Sequence, residues 1–202
     1  MIAIIDYEMG NVKSIQNMLK KIGVESIITS DIEKINSAKK YILPGVGSFD
    51  EGMQNIRKNE ELLKTLKKNV LVDKKPILGI CLGMQLLTNS SEEGIQNGLG
   101  WVDASCHKFK FKDNSLTVPH MGWNKIFFER DSKLFRGLED NRFYFVHSFF
   151  VKCNNIRNMY AQSTYGSNFC CSLNESNIYG VQFHPEKSHK FGMKLLKNFS
   201  EI

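Results

Sequence analysis

The stretch Ile77-Leu78-Gly79-Ile80-Cys81-Leu82-Gly83-Met84-Gln85 constrains this chain more than any other. An apolar run leads into a cysteine with a glycine two positions before it and another two positions after it, and a helix-compatible run follows. This is the pattern of a strand that ends, turns sharply and opens a helix, the nucleophile elbow. So tight a turn presses side chains against backbone, and Gly79 and Gly83 have no Cβ to clash. The turn would hold the Cys81 sulfur at a helix N-terminus, where unpaired N–H groups favour a thiolate. A cysteine in an apolar run is also an ordinary core residue. The paired glycines weigh against that.

The surrounding pattern supplies the scaffold an elbow needs. Ile2-Ala3-Ile4-Ile5 reads as a buried strand, and Ile15, Met18, Leu19 and Ile22 recur at helical spacing up to Gly23. Val24–Ile28 and Tyr41–Leu43 are further strands, with Ser30 and Glu33 as a capping box between them. Leu62, Leu63, Leu66 and Val70 form a helical core stripe, and Lys190 to Phe199 a closing helix. Strands alternating with helices predict a mostly parallel sheet with helices on both faces, its active site at the carboxyl ends of the strands. From Leu99 the segments turn short, alternating and aromatic: Phe109–Phe111, Lys125–Phe128, Phe143–Val146 and Tyr160–Ser163. These predict added strands, including a small antiparallel sheet, within a single domain spanning 1–202.

A second stretch, Gly180-Val181-Gln182-Phe183-His184-Pro185-Glu186, supplies a base and a carboxylate. His184 and Glu186 are two apart, so an extended chain points both to one face, and Pro185 argues against helix there. Cysteine, histidine and a carboxylate behind the histidine make the general set of nucleophile, base and orienter. Without Cys81, a solvated His–Glu pair would be the simpler reading. Pro44-Gly45-Val46-Gly47 follows a strand, where two glycines let backbone N–H groups approach a ligand, although an ordinary strand-to-helix turn has the same composition. Gln85, one helical turn past Cys81, lies on the same face as it.

These stretches resemble the signatures of the class I, triad-type glutamine amidotransferases. Pro44–Phe49, Pro119–Asn124, Tyr144–Ser148 and His184–Ser188 narrow the resemblance to the glutaminase subunits of imidazole glycerol phosphate synthases, over nearly the whole chain. The resemblance implies a flavodoxin-like fold and a thioester mechanism with Cys81 as nucleophile, His184 as base and Glu186 as orienter. It implies oxyanion-hole N–H groups at Val46 and Leu82, and L-glutamine contacts at Gly45, Gly47, Gln85, Glu93 and Ser148. It also implies a (β/α)₈-barrel cyclase as heterodimeric partner, met by Trp123, Tyr144 and Lys187. Relatives often have Tyr where Phe149 stands. His120 and His147, taken alone, read as structural histidines. No metal or organic cofactor is required by this chemistry.

Ammonia freed in water becomes ammonium, a poor nucleophile, so the resemblance further implies a channel to the partner. A paralogue feeding another synthase, such as one amidating a surface sugar, would carry the same site, and a γ-glutamyl hydrolase on this scaffold is a further alternative. The net charge of +6, from 27 basic and 21 acidic residues, raises nucleic acid as a partner. The lysines are scattered and no aromatic RNA-binding signature accompanies them, so none is expected. No run reaches the ~18 apolar residues of a membrane span. Five cysteines without CxxC spacing argue against disulfides and zinc, and a cytoplasmic protein is expected.

Overall fold

The computed structural model describes residues 1–111, 116–129, 132–138 and 141–202. The first half alternates as expected: β1 (Ile2–Ile5), α1 (Val12–Lys21), β2 (Ser26–Thr29), α2 (Ile32–Ser37) and β3 (Lys40–Gly45). It continues with α3 (Phe49–Lys58), α4 (Glu60–Lys67), β4 (Ile77–Cys81) and α5 (Leu82–Leu86). The second half runs β5 (Ser90–Ser91), β6 (Ala104–Lys108), β7 (His120–Phe128), β8 (Arg142–His147), β9 (Phe149–Cys153), β10 (Met159–Tyr165), β11 (Ser167–Glu175), β12 (Ile178–Val181) and α6 (His189–Glu201).

The strands lie in the order β2-β1-β3-β4-β12-β11-β10-β7-β8, with β9 joined to β11, β6 to β9 and β5 to β6. From β2 to β12 neighbouring strands are parallel; from β12 to β8 they are antiparallel. Aromatic and β-branched residues on the later strands build the antiparallel part, as their alternation predicts. Ile4, Ile42, Leu78 and Tyr179 sit side by side in register and bury one face of the sheet with Leu19 of α1 and Leu195 and Phe199 of α6. Their neighbours Ala3, Tyr41 and Leu43 turn to the other face, against Met53 of α3 and Leu62 and Leu66 of α4. No helix among the described residues is long and apolar enough to cross a membrane.

Some local expectations shift. Asp31, not Ser30, caps α2, its carboxylate accepting from the Lys34 N–H; Asp caps as well as Ser, and the helix starts one residue later. Val24 does not open β2, because its N–H closes α1 by donating to the Leu19 carbonyl. The stripe ending at Val70 outlasts α4 as a π-helical turn over Lys68–Val72. Phe109 and Phe111 lie just past β6; the Phe109 ring is buried against His147, Phe150 and Phe169, so its apolarity serves packing rather than a strand.

Candidate active site

Strand β4 ends at Cys81, whose backbone sits at φ 55° and ψ −113°, a sparsely populated conformation for a residue with a Cβ. Such strain costs on the order of 1–3 kcal/mol and persists where surrounding contacts impose it. The glycines show what imposes it. A Cβ on Gly79 would lie 2.7 Å from the Gly83 carbonyl oxygen, and one on Gly83 would collide with the Leu43 carbonyl at the end of β3. A Cβ on Gly45 would lie 2.7 Å from the Gly83 nitrogen. Strand β3 and helix α5 therefore meet backbone to backbone. Gly45 pairs in register with Cys81, which brings the peptide entering Val46 beside the one entering Leu82. Leu82 is the first residue of α5, so its N–H is one of the helix's unpaired donors. Tyr7, buried behind this junction, donates its hydroxyl to the Pro44 carbonyl at 2.5 Å.

The Cys81 side chain is 8 % exposed. The Gln182 side-chain amide donates to its sulfur at 3.7 Å, and the Val146 carbonyl lies 4.0 Å away as an acceptor. His184 Nδ1 donates to Glu186 Oε1 at 2.8 Å, both side chains 2 % exposed. The pair is held differently from the expected extended segment. His184 is extended, but Pro185–Lys187 forms a 3₁₀ turn with proline at its first position, where a missing N–H costs nothing. Burial alone would lower the His184 pKa; interaction with the Cys81 and Glu186 side chains outweighs it and pushes the imidazole up to about 10. Nε2 has no partner of hydrogen-bond geometry among the described residues, and its ring and the Cys81 sulfur line one cavity.

A cavity of about 270 Å³ opens over the sulfur. Val46, Gly47, Cys81, Leu82, Gln85, Glu93, Ser148, His184 and Lys187 line it. Glu186 stands behind His184. Gly45 is the exception: it is packed under Leu82 and Tyr7 and does not line the cavity, because its missing Cβ serves the strand–helix crossing. Gln85 is buried, its amide donating to the Phe149 carbonyl at 3.2 Å and to Gln182 Oε1 at 3.0 Å. Glu93 turns inward and accepts from the Phe49 N–H at 2.8 Å, at the start of α3. Burial raises its pKa, partly offset by that N–H. Its loop is tied down by Asp50, whose carboxylate accepts from the Ile95 and Gln96 N–H groups at 3.1 and 2.9 Å.

Trp123 and Tyr144 lie outside the cavity. Trp123 is 46 % exposed on β7, stacked on His189 at 5.7 Å and edge-on to Tyr144 at 6.3 Å. Lys187 Nζ lies 5.8 Å from the Tyr144 ring. These side chains make a half-exposed apolar and cationic patch directly beside the His184–Glu186 turn. His120 and His147 are buried against each other, Nδ1 to Nε2 at 2.9 Å. Burial holds both neutral, pushing His120 down to about 4 and His147 to about 3.

Four participants have no role assignable from sequence. Gln182 sits inside the second motif, and the strand alternation that points Leu173 and Val181 into the core gives no hint that Gln182 meets sulfur. Phe149 takes part through its carbonyl, which no side-chain pattern reveals. Asp50 and Pro119, the latter lining the cavity, are likewise invisible in spacing alone.

Residues 3–202 match the family Glutamine amidotransferase class-I. The chain is 56% identical over 200 residues to imidazole glycerol phosphate synthase subunit HisH 2 of Methanococcus maripaludis, covering 98% of each. It is 47% identical to the HisH subunit of Bdellovibrio bacteriovorus, covering all of both. Among solved structures, a glutamine amidotransferase aligns with a TM-score of 0.76 at 17% identity, over 100% of this chain and 98% of the other, which bears on the fold. The PurLQS structure from Thermotoga maritima aligns with a TM-score of 0.72 at 18% identity, over 99% of this chain and 97% of the other. With its family matched over nearly its whole length, the chain belongs to the class-I glutamine amidotransferases.

Proposed function

We propose that residues 1–202 form one amidotransferase domain, the glutaminase subunit of an imidazole glycerol phosphate synthase, and that it hydrolyses L-glutamine to glutamate and ammonia. One observation carries the reading most: a single cavity gathers a strained cysteine at an elbow, a histidine oriented by a buried glutamate, and the peptides entering Val46 and Leu82. Its volume suits a small amino acid. His184 Nε2 takes the Cys81 proton, a transfer that its raised pKa favours, and the thiolate attacks the side-chain amide carbon of glutamine. The oxyanion is held by the N–H groups of Val46 and Leu82, each such donor worth about 3 kcal/mol in the transition state. The imidazolium returns its proton to the departing nitrogen, the C–N bond breaks, and ammonia leaves a γ-glutamyl thioester. Water, deprotonated by His184, hydrolyses the thioester and frees glutamate and the thiol. Glu186 keeps the imidazole oriented and stabilises its cation. Glu93 and Ser148 hold the amino-acid end of the substrate.

The ammonia is consumed by a partner cyclase of (β/α)₈-barrel fold that joins this chain as a heterodimer. The names of the similar proteins support the synthase over a surface-sugar amidotransferase. The exposed Trp123 and Lys187 and the half-buried Tyr144 support a docking face beside the site, with tryptophan as anchor. The test is glutamate release by wild type and Cys81→Ala, with and without a barrel cyclase holding its nucleotide substrate. The expected result is little turnover alone, a large increase with the loaded partner and none in the alanine variant. High turnover by the isolated chain, or residual activity in Cys81→Ala, would overturn it.

A further inference from the structure

A continuous set of hydrogen bonds runs from the Cys81 sulfur to strand β7. Gln182 Nε2 donates to Sγ at 3.7 Å, and Gln182 Oε1 accepts from Gln85 Nε2 at 3.0 Å. Gln85 Nε2 also donates to the Phe149 carbonyl at 3.2 Å, which in addition accepts from His147 Nδ1 at 2.7 Å. His147 Nε2 lies 2.9 Å from His120 Nδ1, and Asn124 Nδ2 lies 3.2 Å from His120 Nε2 and donates to the Thr164 carbonyl at 2.9 Å.

The direction of every bond follows from its chemistry. A carbonyl only accepts, so His147 Nδ1 carries the proton; its neutral ring then accepts at Nε2, and His120 must donate from Nδ1. His120 Nε2 is left to accept from the Asn124 amide. At the other end both Gln85 Nε2 hydrogens are committed, which fixes that amide and leaves its Oε1 to accept from a ligand N–H. Gln182 has no freedom either: it is fully buried, and flipping its amide would set its NH₂ against the NH₂ of Gln85. Its NH₂ is therefore turned towards the sulfur, where a donated N–H helps a thiolate more than a thiol.

We propose that Gln182 is a positioning residue for the Cys81 sulfur, and that His147 and His120 brace it through the Phe149 carbonyl and Gln85. The inference rests on the reading of Cys81 as nucleophile. It adds a second determinant of sulfur reactivity beside His184, and it ties that determinant to the strand carrying Trp123.

The test is the rate of Cys81 alkylation by iodoacetamide against pH in the full chain, located by peptide mass spectrometry. Protection by added glutamine is measured alongside. Gln182→Glu replaces the donor by an acceptor of the same shape. It is expected to slow Cys81 alkylation about tenfold or more at pH 7 and to move the profile to higher pH. Gln182→Met, which has neither donor nor acceptor, is expected to do the same to a smaller degree and serves where the glutamate variant does not fold. His147→Phe is expected to weaken glutamine protection about tenfold, whereas His147→Asn, whose amide can still reach the Phe149 carbonyl, recovers most of it. Wild-type rates and pH profiles in both Gln182 variants would overturn the proposal, as would loss of folding in both, which would make Gln182 structural. Equal protection in the two His147 variants would remove the histidines from it. If Cys81→Ala still hydrolysed glutamine, the nucleophile reading itself would have failed; a dead Cys81→Ala with a normal Gln182→Glu would fail this inference alone.

Discussion

Replacing Glu186 by Gln isolates what the carboxylate does. The Glu186 and His184 side chains are both 2 % exposed and 2.8 Å apart, so the imidazolium of the proposed mechanism faces the carboxylate with almost no water around it. At an effective dielectric of 20, that separation gives about 6 kcal/mol of attraction as a ceiling. A glutamine can keep a hydrogen bond from Nδ1 through its own carbonyl oxygen, which returns part of this. The net loss expected is about 3–5 kcal/mol in the chemical step, or roughly 10²–10⁴ in kcat, the range found for orienting carboxylates. Stability should fall too. Glu186 Oε2 has no hydrogen-bond partner among the described residues, so the new NH₂ group would sit buried without an acceptor. Such a group costs about 1–3 kcal/mol. The assay is glutamate release at saturating glutamine with the proposed cyclase partner present, and thermal melting establishes that the measured protein is folded. A folded variant with kcat within tenfold of wild type would refute the idea that Glu186 stabilises a charged His184.

Other substitutions and conditions probe different parts of the account. Gly83→Ala sets a methyl against the Leu43 carbonyl; it should cost about 1–3 kcal/mol or more and abolish activity by pushing α5 off β3, and a stable, active variant would contradict the backbone-contact argument. Asp50→Ala should release the 92–96 loop and raise KM for glutamine several-fold with kcat little changed; an unchanged KM would mean the loop holds Glu93 without it. His120 and His147 titrate at about 4 and about 3 in the folded chain, below the ~6.5 of an unfolded histidine. The unfolded state therefore binds more protons in between, and the stability these residues contribute is present above pH ~6.5 and lost as pH falls towards 4. The slope is at most about 1.4 kcal/mol per pH unit for each histidine. Denaturant melts of wild type against His147→Phe should converge on acidification through this window, and parallel curves would refute the assignment.

How much of the fold and site is legible in the chain depends on what kind of signal a residue leaves. The elbow is legible because its glycines are demanded by steric contact: Gly79 and Gly83 leave no room for a Cβ, and the sequence states that need locally. The parallel half of the sheet is legible because short apolar runs such as Ile2–Ile5 alternate with helical stripes. His184 and Glu186 are legible as a pair, but the backbone that Pro185 imposes is not. Proline excludes a helix interior yet fits the first position of a 3₁₀ turn, so the two side chains meet across that turn. Gly45 carries the same composition signal as Gly47 and packs under the helix instead of lining the cavity. Gln182 and the Phe149 carbonyl cannot be found this way. Their roles depend on strands β4, β9 and β12 being brought together by long-range pairing, and a backbone carbonyl is the same in every residue.

The most direct measurement is an acid quench of the chain with its partner during glutamine turnover, followed by mass spectrometry of the peptide holding residue 81. The account predicts a γ-glutamyl adduct on Cys81 that disappears in Cys81→Ala and accumulates when water is kept from the thioester. A γ-glutamyl group carried by any other residue, or sustained turnover with Cys81 never modified, would contradict it.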